Sequence, residues 1–126
     1  MKRMGLPALA AADRLAVPGL SILVFAICLS ALSTAGAQQS FTGVITDDMC
    51  AERGHQHMRM GANDAECTKA CVAAHGAEYV LLDGKTVYRL SDQQRPEAFA
   101  AQRVRVVGTV DAKTRLITVQ SIAAAK

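Results

Sequence analysis

The chain has 126 residues, four cysteines, three histidines and a formal net charge of +3 at pH 7. This length fits one small domain, and a single apolar run leaves no second hydrophobic span. The basic excess belongs largely to the N-terminus, because residues 38–126 carry 11 basic and 10 acidic side chains. These residues also contain no tryptophan. They therefore offer neither a basic patch nor an aromatic stacking platform for nucleic acid.

Residues 1–37 have the order of a secretory signal peptide. Lys2 and Arg3 give a basic start, residues 20–32 are almost continuously apolar, and Ala35-Gly36-Ala37 is an A-x-A cleavage pattern. An uncleaved anchor is the alternative, although the uncharged run is short for a span of about 20 residues. We therefore expect a periplasmic or secreted domain over residues 38–126, with no membrane contact after cleavage.

Five segments of the mature chain have the alternation of β-strands. Gly43 within the first suggests a bend or a close backbone approach. Asp83-Gly84 predicts a hairpin between the second and third strands, and Pro96 begins a short helix before the fourth. The predicted strands cover residues 40–46, 78–82, 85–90, 103–110 and 115–122.

Residues 47–77 form an insertion between the first two predicted strands. Its first part, to Ala62, has no sustained period and is predicted to be a loop. Asn63 can cap a helix, with Glu66 in the capping-box position. This helix is expected to run to about His75, and Gly76 is expected to end it.

The order of these elements predicts a mainly β fold. Five strands with a short helix between the third and fourth are typical of an OB-like barrel. This barrel would carry the helical Cys/His insertion between strands 1 and 2. Because that connection borders the binding face of OB barrels, the analogy favours a ligand site in the insertion.

Every cysteine and histidine of the mature chain lies in the insertion. Cys67, Cys71 and His75 are spaced i, i+4, i+8 and so share one face of the predicted helix. Cys50 follows the first strand and could fold over that face. Cys50, Cys67, Cys71 and His75 would form a Cys₃His metal site, which suits zinc or a softer ion.

A second, weaker group of candidate ligands overlaps the first. His55, His57, Met58 and Met60 interleave imidazoles with thioethers, a soft ligand set that favours Cu(I). The alternative is a polar loop whose methionines cover apolar surface. Asp47 and Asp48 are adjacent strand-end residues that point apart, so they are predicted to be turn residues and not a catalytic pair.

A disulfide is the alternative to a metal ion. Cys50 paired with Cys67 or Cys71 would pin the insertion to the barrel and stabilise it by roughly 3 kcal/mol in the chain-entropy model. Either pairing leaves one cysteine over. Thiol redox chemistry is a third hypothesis, but the chain has no C-x-x-C motif. Only the place of Cys67 near a helix N-terminus, where a thiol pKa can fall, favours it.

Five segments of the mature chain form a distinctive joint pattern. They are Gly43–Cys50, Cys67–Val72, Tyr79–Leu81, Val87–Asp92 and Val104–Val110. Together they resemble a family of short exported bacterial proteins of unknown function. The resemblance implies an envelope location and a compact β-rich domain, and it implies no activity.

A more distant similarity is to small periplasmic copper chaperones, which are OB-like barrels with methionine and histidine ligands. This chain differs from them because it lacks a tryptophan to cover the copper. Its candidate ligands also lie in an insertion and not on the barrel strands.

The sequence therefore predicts binding and not catalysis. The expected protein is a small exported domain with a candidate zinc or copper site in its insertion. One alternative is a disulfide-stapled structural or interaction module without metal, whose partner would be an unknown envelope protein. The other is a thiol-redox protein.

Overall fold

A computed structural model describes residues 36–126 of the protein. The basic start and apolar run of the predicted signal peptide lie outside these residues. Within residues 36–126, no helix has the length and apolar character needed to cross a membrane.

The described chain is mainly β, with five strands and one α-helix, as predicted. In chain order the elements are β1 (Gln39–Asp47), α1 (Asp64–His75), β2 (Tyr79–Asp83), β3 (Thr86–Leu90), a 3₁₀ helix (Arg95–Phe99), β4 (Arg103–Asp111) and β5 (Leu116–Ala124). Residues 48–62 contain only turns and bends, which confirms the predicted loop.

All five strands belong to one sheet. They pair in the order β1-β2-β3-β5-β4, and β4 pairs in turn with β1, which closes the sheet. Only β3 and β5 are parallel, and their ladder has just two residue pairs. Strand β1 pairs with β4 over Gln39–Val44 and with β2 over Val44–Asp47, so both of its edges are occupied.

Alternate residues of the strands supply the apolar core. In β4, Val104 and Val106 are buried while Arg103 and Arg105 are exposed, as their alternation predicts. Residues from all five strands meet in this core, namely Phe41, Ile45, Tyr79, Leu81, Leu90, Val104, Val106 and Ile117. Burial of this set is the main force that holds the sheet together.

The β2–β3 hairpin turns through Gly84 and Lys85, since Asp83 pairs with Thr86. Asp83 therefore ends β2, one residue later than its turn propensity predicts. Gly84 has a φ of 59°, in the left-handed region that glycine adopts without a steric cost.

Gly43 lies where two strands approach each other closely. A Cβ atom at this position would fall 2.4 Å from the backbone oxygen of Leu82 and 3.1 Å from a methyl group of Leu81. The predicted close backbone approach is therefore present, and only glycine fits it.

We expect Gly43→Ala to lower the free energy of unfolding by about 1–3 kcal/mol, because the added methyl group must displace strand β2. Urea denaturation of the purified protein measures this loss. Ser40→Ala, at an exposed position of the same strand, is the matched control. Equal stability of the two variants would contradict the close approach.

Asp92 organises the start of the 3₁₀ helix. Its Oδ1 accepts hydrogen bonds from the backbone N–H groups of Gln94, at 2.8 Å, and Arg95, at 3.1 Å. Its Oδ2 accepts a hydrogen bond from the Arg95 guanidinium. These hydrogen bonds hold the pKa of Asp92 below its ordinary value of 3.8, and the bond from the Arg95 side chain has the largest effect.

Because the folded state lowers this pKa, the ionised carboxylate stabilises the fold above pH 3.8, and the stabilisation is lost as pH falls through the lower folded-state pKa. We expect Asp92→Ala to cost about 1 kcal/mol at pH 7, as for other lost capping groups, and less below pH 4. Denaturation across pH 2–7 measures the difference. Asp92→Asn, which keeps a capping oxygen, should show a smaller loss, and a pH-independent cost of Asp92→Ala would contradict the role of the charge.

Candidate metal centre

Strand β1 brings Asp47 into the interior at its last residue. Asp47 is fully buried, whereas its neighbour Asp48 is exposed. The Oδ1 atom of Asp47 accepts the backbone N–H of Cys50, at 3.0 Å, and its backbone oxygen accepts the N–H of Ala51, at 2.9 Å. This turn sets the Cys50 side chain beside the Asp47 carboxylate.

Helix α1 supplies two further thiols. Asn63 caps it by accepting the N–H of Glu66, at 2.9 Å, and Gly76 ends it in the left-handed conformation with a φ of 67°. Both ends are as the sequence predicts. The buried face of the helix carries Cys67 and Cys71, which are 1% and 0% exposed.

Five potential ligand atoms meet where α1 covers the end of β1. The side-chain donor atoms of Cys50, His55 and Cys67 lie within 4.8 Å of one another. Those of Asp47, Cys50 and Cys71 do the same, so Cys50 belongs to both groups. The two groups are therefore adjacent and joined at Cys50, and the three cysteines pack in one buried cluster.

The loop before α1 wraps around the sulfur of Cys67. The backbone N–H of Met60 donates a hydrogen bond to Sγ, at 3.3 Å, and the thiol donates to the backbone oxygen of Met58, at 3.2 Å. The side chains of both methionines are exposed. The loop therefore contacts the centre through its backbone and turns its thioethers outward.

His55 is held between Thr46 and Asp47. Its Nε2 lies 3.2 Å from the Thr46 hydroxyl, and its Nδ1 lies 3.9 Å from Oδ2 of Asp47. Among residues 36–126, neither that Nδ1 nor that Oδ2 has a hydrogen-bond partner, although both atoms are buried. Buried polar atoms are rarely left unpaired, and a proton or a cation shared by these two atoms would satisfy both.

The environment disfavours the thiolate form of Cys50 and Cys71. Burial raises the pKa of the Cys50 thiol to about 12, and the negative charge of Asp47 adds to the effect. Burial, followed by the same charge, also raises the pKa of Cys71. A protonated thiol is a poor nucleophile, which disfavours a redox role for these two cysteines.

The predicted ligands separate into two sets in the structure. Cys50, Cys67 and Cys71 pack in one buried cluster, and His55 of the weaker group lies close to Cys50 and Cys67. The side chains of four other candidates, His57, Met58, Met60 and His75, are exposed. The three cysteines are free thiols, and no disulfide joins them within the described residues.

Two residues of the centre were not among the predicted ligands. Asp47 was expected to be a turn residue, and Thr46 was given no role. The alternation of β1 held a usable signal, because Phe41, Gly43 and Ile45 face one side and Asp47 continues that series. Thr46 contributes only through its distance to His55, which no spacing along the chain reveals.

In the comparisons with known proteins, residues 73–125 match the model of a family described as "Protein of unknown function (DUF5818)". The match spans β2 to β5 and begins after Cys50, His55, Cys67 and Cys71. No curated protein and no solved structure shows a significant match to the chain. The comparisons therefore carry no information on the candidate metal centre.

We expect Asn63→Ala to lower the free energy of unfolding by about 1 kcal/mol, because an N-cap oxygen is lost from the helix that carries two of the thiols. Thermal denaturation monitored by circular dichroism measures the change. Asn63→Asp retains the capping oxygen and is the matched control. A loss as large in Asn63→Asp as in Asn63→Ala would contradict the capping role.

Proposed function

We propose that this protein is a small exported binding protein that holds one soft or borderline metal ion, zinc or copper, through Cys50, Cys67 and Cys71. The signal-peptide pattern of residues 1–37 supports a periplasmic or secreted location. The strand order, with β1 between β2 and β4 and a parallel β3–β5 pair, supports an OB-like barrel.

A single observation carries the metal hypothesis: three buried thiols pack together beside a carboxylate oxygen and an imidazole nitrogen that are buried without a hydrogen-bond partner within residues 36–126. A cation here would neutralise the thiolates and offset the charge of the carboxylate. A tetrahedral zinc ion with bonds of about 2.0–2.3 Å separates its ligand atoms by roughly 3.3–3.8 Å. Within each group of three, donor atoms that lie within 4.8 Å of one another need only small inward shifts to reach that spacing.

The energetic role of the ion follows from the elements that it would join. Cys50 follows β1, whereas Cys67 and Cys71 lie on α1. An ion bound to all three would staple the insertion to the sheet in a domain too short to bury a large core. The proposed partner of the protein is thus the metal ion.

A disulfide-stapled module of the cell envelope, with an unknown partner, is the second candidate. The Sγ of Cys50 lies within 4.8 Å of both Cys67 Sγ and Cys71 Sγ, so either bond would need only a small movement. An exported chain also meets an oxidising environment. The odd number of mature cysteines argues against this candidate as a full account, because one thiol would stay buried without a partner.

The deciding experiment combines elemental analysis, intact mass and a free-thiol count on protein purified from the periplasm. We expect one zinc or copper ion per chain, a mass that starts at Gln38, and three free thiols after unfolding in chelator. The Cys67→Ser/Cys71→Ser double variant should lose the ion. Ala73→Ser, on the exposed side of the same helix, should retain it.

Three results separate the hypotheses. The disulfide staple is supported if the protein as purified has a mass lower by two hydrogen atoms and one free thiol. The metal proposal is overturned if that protein also fails to bind metal after anaerobic reduction and addition of zinc. If the double variant fails to fold, a chelator added to the wild-type protein should lower its Tm, and zinc should restore it. Thiols that cycle with an added oxidant while the fold persists would support the redox hypothesis instead.

A further inference from the structure

The three histidines of the described chain differ sharply in their surroundings. His75 is exposed at the end of α1, and the Nε2 of exposed His57 lies 3.5 Å from the Arg53 guanidinium. Only His55 is largely enclosed, with 12% of its side chain accessible to solvent. It is also the only one of the three whose ring nitrogen lies within 4.8 Å of cysteine sulfurs in a potential ligand group.

The Thr46 hydroxyl occupies one side of the His55 ring. Thr46 is 4% exposed and pairs with Val80 in the β1–β2 ladder, so its position is fixed by the sheet. Its Oγ1 can accept a hydrogen bond from the Nε2–H of His55 at the observed 3.2 Å. In a neutral imidazole, a proton on Nε2 leaves a lone pair on Nδ1.

The other side of the ring faces the candidate metal centre. Its Nδ1 is buried, has no partner in the part of the chain that the structure describes, and lies 3.9 Å from Asp47 Oδ2. Two acceptor atoms that face each other in the interior need a positive centre beside them. When Nε2–H is donated to Thr46, a metal ion bound to the bare Nδ1 would supply that centre.

We propose that His55, through Nδ1, is the fourth ligand of a tetrahedral divalent ion of the zinc type, and that Thr46 is the positioning residue that holds His55 in the required tautomer. This inference rests on the proposed metal site and specifies its ion. Three thiolates and one imidazole form a closed four-coordinate set, which is typical of structural zinc. Metal-bound histidines usually donate their second ring N–H to an oxygen of the protein, which is the role assigned to Thr46.

The surroundings also favour zinc over Cu(I). The Asp47 carboxylate lies beside the proposed ligands and adds a negative charge, which a divalent ion balances better than a monovalent one. The thioethers of Met58 and Met60, which would suit Cu(I), lie on exposed side chains. Three thiolates alone could hold Cu(I), so dependence on the histidine distinguishes the two ions.

The test uses the mature protein, with Zn²⁺ and Co²⁺ as probes, in four variants. We expect His55→Ala to weaken Zn²⁺ binding the most and Thr46→Val to weaken it by about 10–100-fold, as for other partners that orient a ligand. Thr46→Ser, which keeps the hydroxyl, should restore near wild-type affinity. His57→Ala is the matched histidine control and should leave the affinity unchanged.

Two spectroscopic readouts separate ligation from a loss of structure. Co²⁺ in the wild-type protein should give the strong visible absorption of a tetrahedral sulfur-rich site, and His55→Ala should change its positions and intensities. In ¹⁵N-labelled zinc-loaded protein, the His55 nitrogen shifts should show Nε2 protonated and Nδ1 bound to the metal. Thermal unfolding of each metal-free variant shows whether it has folded.

Each outcome has one meaning. If the wild-type protein binds none of Zn²⁺, Co²⁺ and Cu(I), the proposed function itself fails. If it binds Zn²⁺ but His55→Ala binds equally well, the site stands and the ligand assignment is overturned. The zinc assignment is overturned if the wild-type protein binds Zn²⁺ weakly and Cu(I) tightly, and if His55→Ala binds Cu(I) with the same affinity as the wild type. Equal affinities of Thr46→Val and Thr46→Ser overturn the role of the threonine.

Discussion

The structure depends on the double pairing of strand β1. Its first half is hydrogen-bonded to β4 and its second half to β2, so that one strand closes the sheet. The same strand ends in Thr46 and Asp47, the two residues that flank His55. The positions of the candidate ligands are therefore tied to the closure of the sheet, because the backbone that carries these two residues has no freedom to move apart from it.

Helix α1 meets this fixed strand end as a second rigid element. Its caps define where it begins and ends, and its buried face presents Cys67 and Cys71. The loop between the two elements has no regular structure, yet it supplies Cys50 and His55 and surrounds the Cys67 sulfur with backbone groups. A cation would be held between a strand, a helix and a loop, and each of them alone provides too few ligands.

Much of the scaffold follows from local patterns in the sequence. Three local signals predicted features that the structure contains. The alternation of Val104 and Val106 predicted the buried face of β4. Asn63 and Gly76 predicted the ends of α1, and the glycine in β1 predicted a close backbone approach. These signals are local, because they depend on residues within one or two turns of helix or on neighbouring positions of a strand. The three cysteines were grouped for the same reason, since two of them lie four residues apart on a helix.

The rest of the centre depends on contacts that local patterns do not encode. Helical spacing favours His75 as the fourth ligand, but that residue is exposed at the last position of α1. His55 lies in a loop with no period, so its approach to Thr46 and Asp47 is decided by how the loop folds back. Sequence alternation alone could have shown that Asp47 faces inward; it could not have shown what it faces.

The parallel contact between β3 and β5 has a consequence for the dynamics of the domain. It is the shortest ladder of the closed sheet, with two residue pairs, whereas β4 and β5 pair over eight. Local opening starts where the fewest contacts must be broken, so amide exchange at this seam should be the fastest in the sheet. The seam does not involve β1. The sheet can therefore open locally at this seam while β1, which carries Thr46 and Asp47, stays paired with β2 and β4.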